Sequence, residues 1–116
     1  MTRLILALFM FLSLPHLAAA HSPLLSSSPA DGAAVAAAPD AFTMRFKGMA
    51  RLVRFSLSGE AAGEIALCKD HLMIESQTHS IALPDLVDDD YEVRWRAMSA
   101  DGHVIKGGLS FTIGAP

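Results

Sequence analysis

Hydrophobic and polar positions alternate along most of the chain that follows residue 20. Aromatic and β-branched residues recur at every second position, charged or hydroxyl-bearing residues lie between them, and no amphipathic pattern of helical length interrupts the series. A period of two is typical of strands that bury one face. The pattern therefore predicts an all-β fold, with strands at residues 42–47, 53–57, 91–97 and 109–113 and shorter ones at 65–67, 72–74 and 81–83.

Turn-forming residues separate these strands. Pro29, Asp31 and Gly32 follow the first short segment after residue 20, and Asp101 with Gly102 lies between the last two strong strands. Such residues fix φ or permit a positive φ. Several short strands with regular turns favour a sandwich or a barrel. The remaining chain contains no internal repeat and no linker, and its length predicts one domain.

The N-terminus has the three parts of a secretory signal peptide. Arg3 supplies the charge, residues 4–14 are almost wholly apolar, and Ala18 and Ala20 form a small-residue cleavage site before His21. A retained membrane anchor is the alternative, but a spanning helix needs about 20 apolar residues. We therefore predict a signal peptide at residues 1–20, a single domain at 21–116 and export to the periplasm.

Composition narrows the possible partners. The hydrophobic fraction of 52% is partly due to the signal peptide, and the net charge of −3 argues against a nucleic-acid partner, which would need a basic face. Cys68 is the single cysteine, so an internal disulfide framework is excluded. Its neighbours predict a strand with Cys68 buried as a small apolar residue, and a metal ligand or reactive thiol is the alternative. The run 88–90, three aspartates, predicts a solvated turn rather than a calcium loop.

Cleavage before His21 would create a chelating residue. Its α-amine and imidazole could bind one metal through two nitrogens, and the amine loses its proton at modest cost because its pKa lies near 7.7–8.0. Asp101 and His103 flank Gly102 and add a carboxylate and a second imidazole. A nitrogen and oxygen donor set of this kind favours Cu(II).

Each of these residues also has an ordinary interpretation. His21 could be a free N-terminus, His103 a hairpin-loop histidine and Asp101 a turn former. An Asp-Gly-His tripeptide alone is weak evidence, and His21 and His103 are far apart in the sequence. The conjunction of a cleavage site that places His first with this tripeptide favours the metal interpretation.

Four stretches of the chain resemble the CopC-type periplasmic copper-binding proteins. They are His-Ser-Pro-Leu at 21–24, Ser-Pro-Ala-Asp-Gly-Ala at 28–33, the strand and tripeptide at 91–103, and the closing strand at 108–113. The resemblance implies a cupredoxin-like, immunoglobulin-like Greek-key β-sandwich. It also implies Cu(II) ligation by the N-terminal His and by the Asp and His of the tripeptide, which are His21, Asp101 and His103 here.

Some positions depart from the family pattern. Lys47-Gly48 stands where many members have Glu-Pro, and Val104 stands where Pro commonly follows the tripeptide. Some members carry a second, methionine-rich Cu(I) site. We expect the methionines of this chain to be core or surface residues and His71 and His79 to be exposed at strand ends, with a secondary metal site at either histidine as the alternative.

These observations favour a non-enzymatic, soluble periplasmic Cu(II)-binding protein for copper sequestration, resistance or delivery. The resemblance implies a CopD-type inner-membrane transporter or another exported copper protein as partner. One alternative is a copper-dependent oxidative enzyme with an N-terminal histidine brace, which would need an open equatorial position that Asp101 is expected to fill. A metal-free structural or interaction β-sandwich is the other alternative.

Overall fold

The computed structural model describes residues 24–114, and within that range the chain forms strands and turns without a helix. The strands are β1 (Leu24–Ser28), β2 (Ala33–Val35), β3 (Ala41–Gly59), β4 (Gly63–Ile65), β5 (Glu75–Ala82), β6 (Asp89–Ser99) and β7 (Val104–Ile113). The predicted all-β class is confirmed. A search of these residues for a helix able to cross a bilayer finds none.

Strand β3 connects the two layers of the sandwich. Its first half pairs antiparallel with β1 and β5, and its second half pairs antiparallel with β6 and β4. The register with β5 shifts between Arg45 and Ala50, where the strand passes from one layer to the other. β7 pairs antiparallel with β6 and parallel with β2, giving the order β1-β3-β6-β7-β2.

The core lies between the layers and is built from the alternating positions of the long strands. Trp95 is 4% exposed and packs edge-on against Phe46, with 5.3 Å between the ring centroids. This burial confirms the strand phase predicted for residues 91–97. The other large buried side chains of the cluster are Phe42, Met44, Leu52, Leu57, Ile81, Tyr91, Val93, Leu109, Phe111 and Ile113.

Tyr91 anchors the start of β6. Its ring is buried and stacks on Phe111, and its hydroxyl donates a 2.6 Å hydrogen bond to the carbonyl oxygen of Val87, four residues upstream. Burial, with smaller contributions from two nearby carboxylates, raises the pKa of Tyr91. A buried tyrosine bonded to backbone just upstream is a recurring feature of Greek-key sandwiches.

Two details of the predicted strands are wrong. The register of β3 with β6 shifts between Leu52 and Arg54, so Leu52 is buried and Val53 is 38% exposed. A β-bulge of this kind reverses the face of the residues on one side of it. The aspartate run also differs from the predicted turn, because Asp89 and Asp90 already belong to β6.

The segment between β4 and β5 is not the pair of strands that its pattern predicted. β4 ends at Ile65, and residues 66–74 form no strand. In the turn at residues 70–73, Met73 has a φ of 64° and donates its N–H to the carbonyl oxygen of Leu52 at 2.9 Å. Cys68 is exposed here, so its predicted burial is also wrong. Leu67 and Leu72 pack against the core instead of pairing in the sheet, whereas Met73 and Ile74 are exposed.

Candidate metal centre

The β6–β7 loop presents two of the three candidate ligands. The N–H of Ser99 donates to the carbonyl oxygen of His103, and the N–H of Gly102 donates to the carbonyl oxygen of Ser99, each at 2.9 Å. Gly102 has a φ of +87°, which glycine adopts readily in a tight hairpin loop. Local turn chemistry thus brings Asp101 and His103 to the same side of one loop.

Asp101 and His103 are in direct contact. Nδ1 of His103 lies 2.8 Å from Oδ2 of Asp101, and the backbone N–H of His103 donates to Oδ1 at 3.3 Å. Their side chains are 66% and 79% exposed, respectively. The loop therefore offers an accessible carboxylate and imidazole as one unit.

Asp101 is ionised across the neutral range. Its carboxylate accepts hydrogen bonds from the Ser99 hydroxyl, from the His103 side chain and from the His103 backbone N–H, and these lower its pKa to about 2. Hydrogen bonds to the charged form of a carboxyl stabilise that form. The loop consequently carries a fixed negative charge that can attract a cation.

Ser99 is a site residue that the sequence analysis did not single out. Its hydroxyl donates to Oδ1 of Asp101 and also lies 3.2 Å from the carbonyl oxygen of His103. The available clue was its place at the end of a strand, two residues before an aspartate, where serine commonly hydrogen-bonds to nearby loop groups. Ser99 thus lies between the Asp101 carboxylate and the backbone of His103 and contacts both.

The start of β1 lies at the same end of the sandwich as this loop. Leu24 pairs with Phe46 of β3, and Ser99 pairs with Ala50 of the same strand. Only residues 47–49 separate the two contact points on β3, so these points are at most about 14 Å apart. His21 itself, like the predicted cleavage site at residues 18–20, lies outside the described residues.

His71 and His79 are not the exposed residues that the sequence analysis predicted. They are 9% and 4% exposed, and their rings contact Phe55 and Phe46 at centroid distances of 5.7 and 5.5 Å. Burial lowers the pKa of His71, against smaller opposing effects of the Cys68 backbone and a nearby carboxylate. Among residues 24–114 no group of three or more His, Cys, Asp or Glu side chains is arranged to hold a metal ion.

The described residues form a small β-sandwich of the cupredoxin-like class, as predicted. Residues 24–114 match the CopC domain, and the chain belongs to the CopC domain family. The resemblance to the CopC-type proteins, which rests on stretches at residues 21–33 and 91–113, is therefore confirmed.

Two solved structures resemble the fold. The chain has a TM-score of 0.66 and 26% identity to CopC from Methylosinus trichosporium OB3b, covering 81% of this chain and 94% of that one. It has a TM-score of 0.60 and 26% identity to PcoC, a copper resistance protein from Escherichia coli, covering 78% and 97%.

A curated relative is much longer than this chain. The copper transport protein CutJ of Bacillus subtilis (strain 168) is 28% identical over 119 residues, an alignment that includes 95% of this chain. The chain spans 21% of the length of that relative.

Proposed function

We propose that this protein is cut between Ala20 and His21, acts in the periplasm and binds Cu(II) there as cargo, for sequestration or delivery. The observation that carries the proposal is the contact between Asp101 and His103 on an exposed loop. An ionised carboxylate beside an imidazole is a donor pair that Cu(II) accepts. The relatives named for copper resistance and copper transport support the same cargo.

The hydrogen bond between the two side chains favours one nitrogen of His103. When Nδ1 carries the proton and donates to Asp101, Nε2 keeps its lone pair and is free to bind copper. A carboxylate that accepts from the far nitrogen of a metal-binding histidine also fixes the orientation of the ring. In our proposal Asp101 holds this ring in the copper-free loop, and on copper binding its carboxylate leaves Nδ1 and contributes an oxygen to the ion.

His21 completes the proposed set with its α-amine and Nδ1. Support comes from the position of Leu24 at the loop end of the sandwich. The three residue steps from Leu24 back to His21 span about 10 Å when extended. This length is comparable with the distance of at most about 14 Å between the two contact points on β3. Three nitrogens and one oxygen would then fill the strong equatorial positions of Cu(II).

The proposed role is binding rather than catalysis. Oxygen chemistry on copper would need an equatorial position open to a small molecule, and in our proposal the Asp101 oxygen fills it. The partner would be a membrane copper transporter of the CopD type or another exported copper protein, with which the ion is exchanged.

Copper titration of processed protein that begins at His21 tests the proposal. His103→Ala should weaken binding and remove one nitrogen from the electron paramagnetic resonance (EPR) spectrum. Asp101→Ala should keep the nitrogens and admit water to the copper. Asp85→Ala, which also removes an exposed aspartate, is the matched control and should change neither property. Wild-type affinity and spectra in both loop variants would contradict the proposed site.

A further inference from the structure

Three cations form a row across the solvent-facing side of β3, β6 and β7. Arg54 lies directly opposite Arg96, and Arg96 lies directly opposite Lys106, so the three occupy neighbouring positions on adjacent strands. All three side chains are exposed. We call Arg54, Arg96 and Lys106 the basic row.

The basic row is electrostatically unfavourable in the isolated protein. Like charges directly opposite each other on neighbouring strands repel and destabilise a sheet. Arg94, on the same face, has a carboxylate partner in Glu92 at 2.8 Å, whereas no member of the row forms an ion pair within residues 24–114. The chain as a whole has a net charge of −3, so this positive face is not a consequence of a basic composition.

An apolar pair separates the basic row from the candidate metal loop. Met98 and Val104 lie opposite each other on the same face and are 38% and 58% exposed. Lys106 follows His103 by three residues, which is about 10 Å along an extended strand. One continuous surface therefore runs from the Asp101–His103 loop over Met98 and Val104, with the Arg51–Glu75 ion pair beside Met98, to three cations.

The geometry points to this surface as the docking site for an acidic, partly apolar segment of the protein that exchanges copper with the loop. This inference rests on the proposed function, because it assigns a chemistry to the partner of that site. Carboxylates of the partner would neutralise the row, and guanidinium groups pair with carboxylates in a defined two-point geometry. Apolar side chains of the same segment would cover Met98 and Val104.

The number of cations on this surface favours a protein partner over a lipid bilayer. Basic clusters that bind anionic membranes usually contain four to eight cations, and this face presents three cations that form no ion pair within residues 24–114, because Arg51 and Arg94 are paired with Glu75 and Glu92. The exposed apolar pair next to the loop also fits a peptide that carries both acidic and apolar residues. Docking here would bring the partner within reach of the ion without covering the loop itself.

The test uses copper-free processed protein and a short fluorescein-labelled peptide of glutamates with two leucines. The variant Arg54→Gln/Arg96→Gln shortens the row, and Arg45→Gln/Lys69→Gln removes two exposed cations elsewhere as the matched control. We expect the row variant to lose about tenfold in peptide affinity and the control about twofold or less. The urea midpoint of the row variant should equal or exceed that of the wild type, because repulsion is relieved.

Three outcomes would overturn the inference. They are equal losses in the two double variants, absence of peptide binding to the wild type, and binding to phosphatidylserine–phosphatidylcholine vesicles in place of the peptide. Copper titration of the same variants separates this inference from the proposed function. Intact copper binding with no peptide binding contradicts the docking surface alone, and peptide binding without copper binding supports the surface and contradicts the copper site.

Discussion

At the scale of single residues, Ser99 determines the state of the candidate metal loop. Its hydroxyl donates to Asp101, lies 3.2 Å from the carbonyl oxygen of His103, and makes the largest contribution to the low pKa of Asp101. A hydrogen bond of this type stabilises the ionised carboxylate and also limits the conformations of the loop. The geometry of both proposed loop ligands therefore depends on a residue that need not touch copper.

Ser99→Ala should raise the pKa of Asp101 from about 2 toward 3.8. The ionised form loses a donor, whereas the protonated form loses little. Loss of one hydrogen bond should also weaken copper binding roughly two- to tenfold. Carboxyl titration by NMR of copper-free protein and copper calorimetry measure the two effects, with Ser80→Ala at an exposed position of β5 as the control. An unchanged pKa of Asp101 would contradict this role of Ser99.

Gly107 is required by the close approach of Trp95. A Cβ at Gly107 would lie 2.6 Å from Cζ2 and 2.9 Å from Cε2 of the indole. Gly107→Ala should therefore lower the free energy of unfolding by about 1–3 kcal/mol in urea melts. Gly48→Ala, whose Cβ would meet nothing within 4 Å, should change it by about 0.5 kcal/mol or less. Equal effects in the two variants would show that the indole does not constrain Gly107.

At the scale of the elements, Asp89 ties the turn between β3 and β4 to the start of β6. Its carboxylate accepts hydrogen bonds from the N–H groups of Ala62 at 2.8 Å and of Ala61 at 3.0 Å. The Ala62 bond is the main cause of the lowered pKa of Asp89. Because the pKa is lower in the folded state, the carboxylate adds stability above its ordinary pKa, and this contribution is lost as the pH falls through the lowered value.

Asp89→Asn should lower the urea midpoint at pH 7, because the amide is a weaker acceptor for the turn. The difference from the wild type should shrink as the pH falls from about 4 through the lowered pKa of Asp89, below which the folded wild-type carboxylate is also protonated. Asp85→Asn, at an exposed position whose side chain forms no hydrogen bond or ion pair within residues 24–114, should leave the midpoint unchanged at every pH. A constant difference across the whole pH range would refute the carboxylate as its source.

Elements with long alternation could be predicted from the sequence, and short apolar pairs could not. The alternation of β6 fixes its phase over many residues, and Trp95 is buried as predicted. The apolar pair Leu72 and Ile74 is compatible both with a short strand and with a turn at the edge of the core. Only tertiary packing decides between these two structures. The burial of His71 and His79 could not be predicted for the same reason, because it depends on contacts with Phe55 and Phe46, which are distant in sequence.

The loop was more predictable than its surroundings. Asp101, Gly102 and His103 are adjacent, so turn chemistry alone brings the two ligand side chains together. The approach of the β1 start to that loop depends on the pairing of both with β3, which periodicity does not reveal. The basic row also could not be predicted from the sequence, because its three cations become neighbours only through the register of the strands.

At the scale of the whole molecule, copper is expected to join the first mature segment to the last hairpin. A ligand that binds only the native state adds RT ln(1 + [L]/Kd), which is about 2.7 kcal/mol at a hundredfold excess over Kd. Saturating Cu(II) should therefore raise the melting temperature of the processed protein. His103→Ala should show a smaller increase under the same conditions. An unchanged melting temperature in saturated wild-type protein would contradict this coupling.

The central claim, that Cu(II) binds at an N-terminal His21 together with Asp101 and His103, is tested most directly by EPR. The spectrum of the Cu(II) protein that begins at His21 is compared with that of protein carrying one extra glycine before it. The added residue converts the His21 amine into an amide, which is no base near neutral pH. We predict three coordinated nitrogens in the first protein, and one fewer with weaker binding in the second. Identical spectra and affinities would contradict the claim.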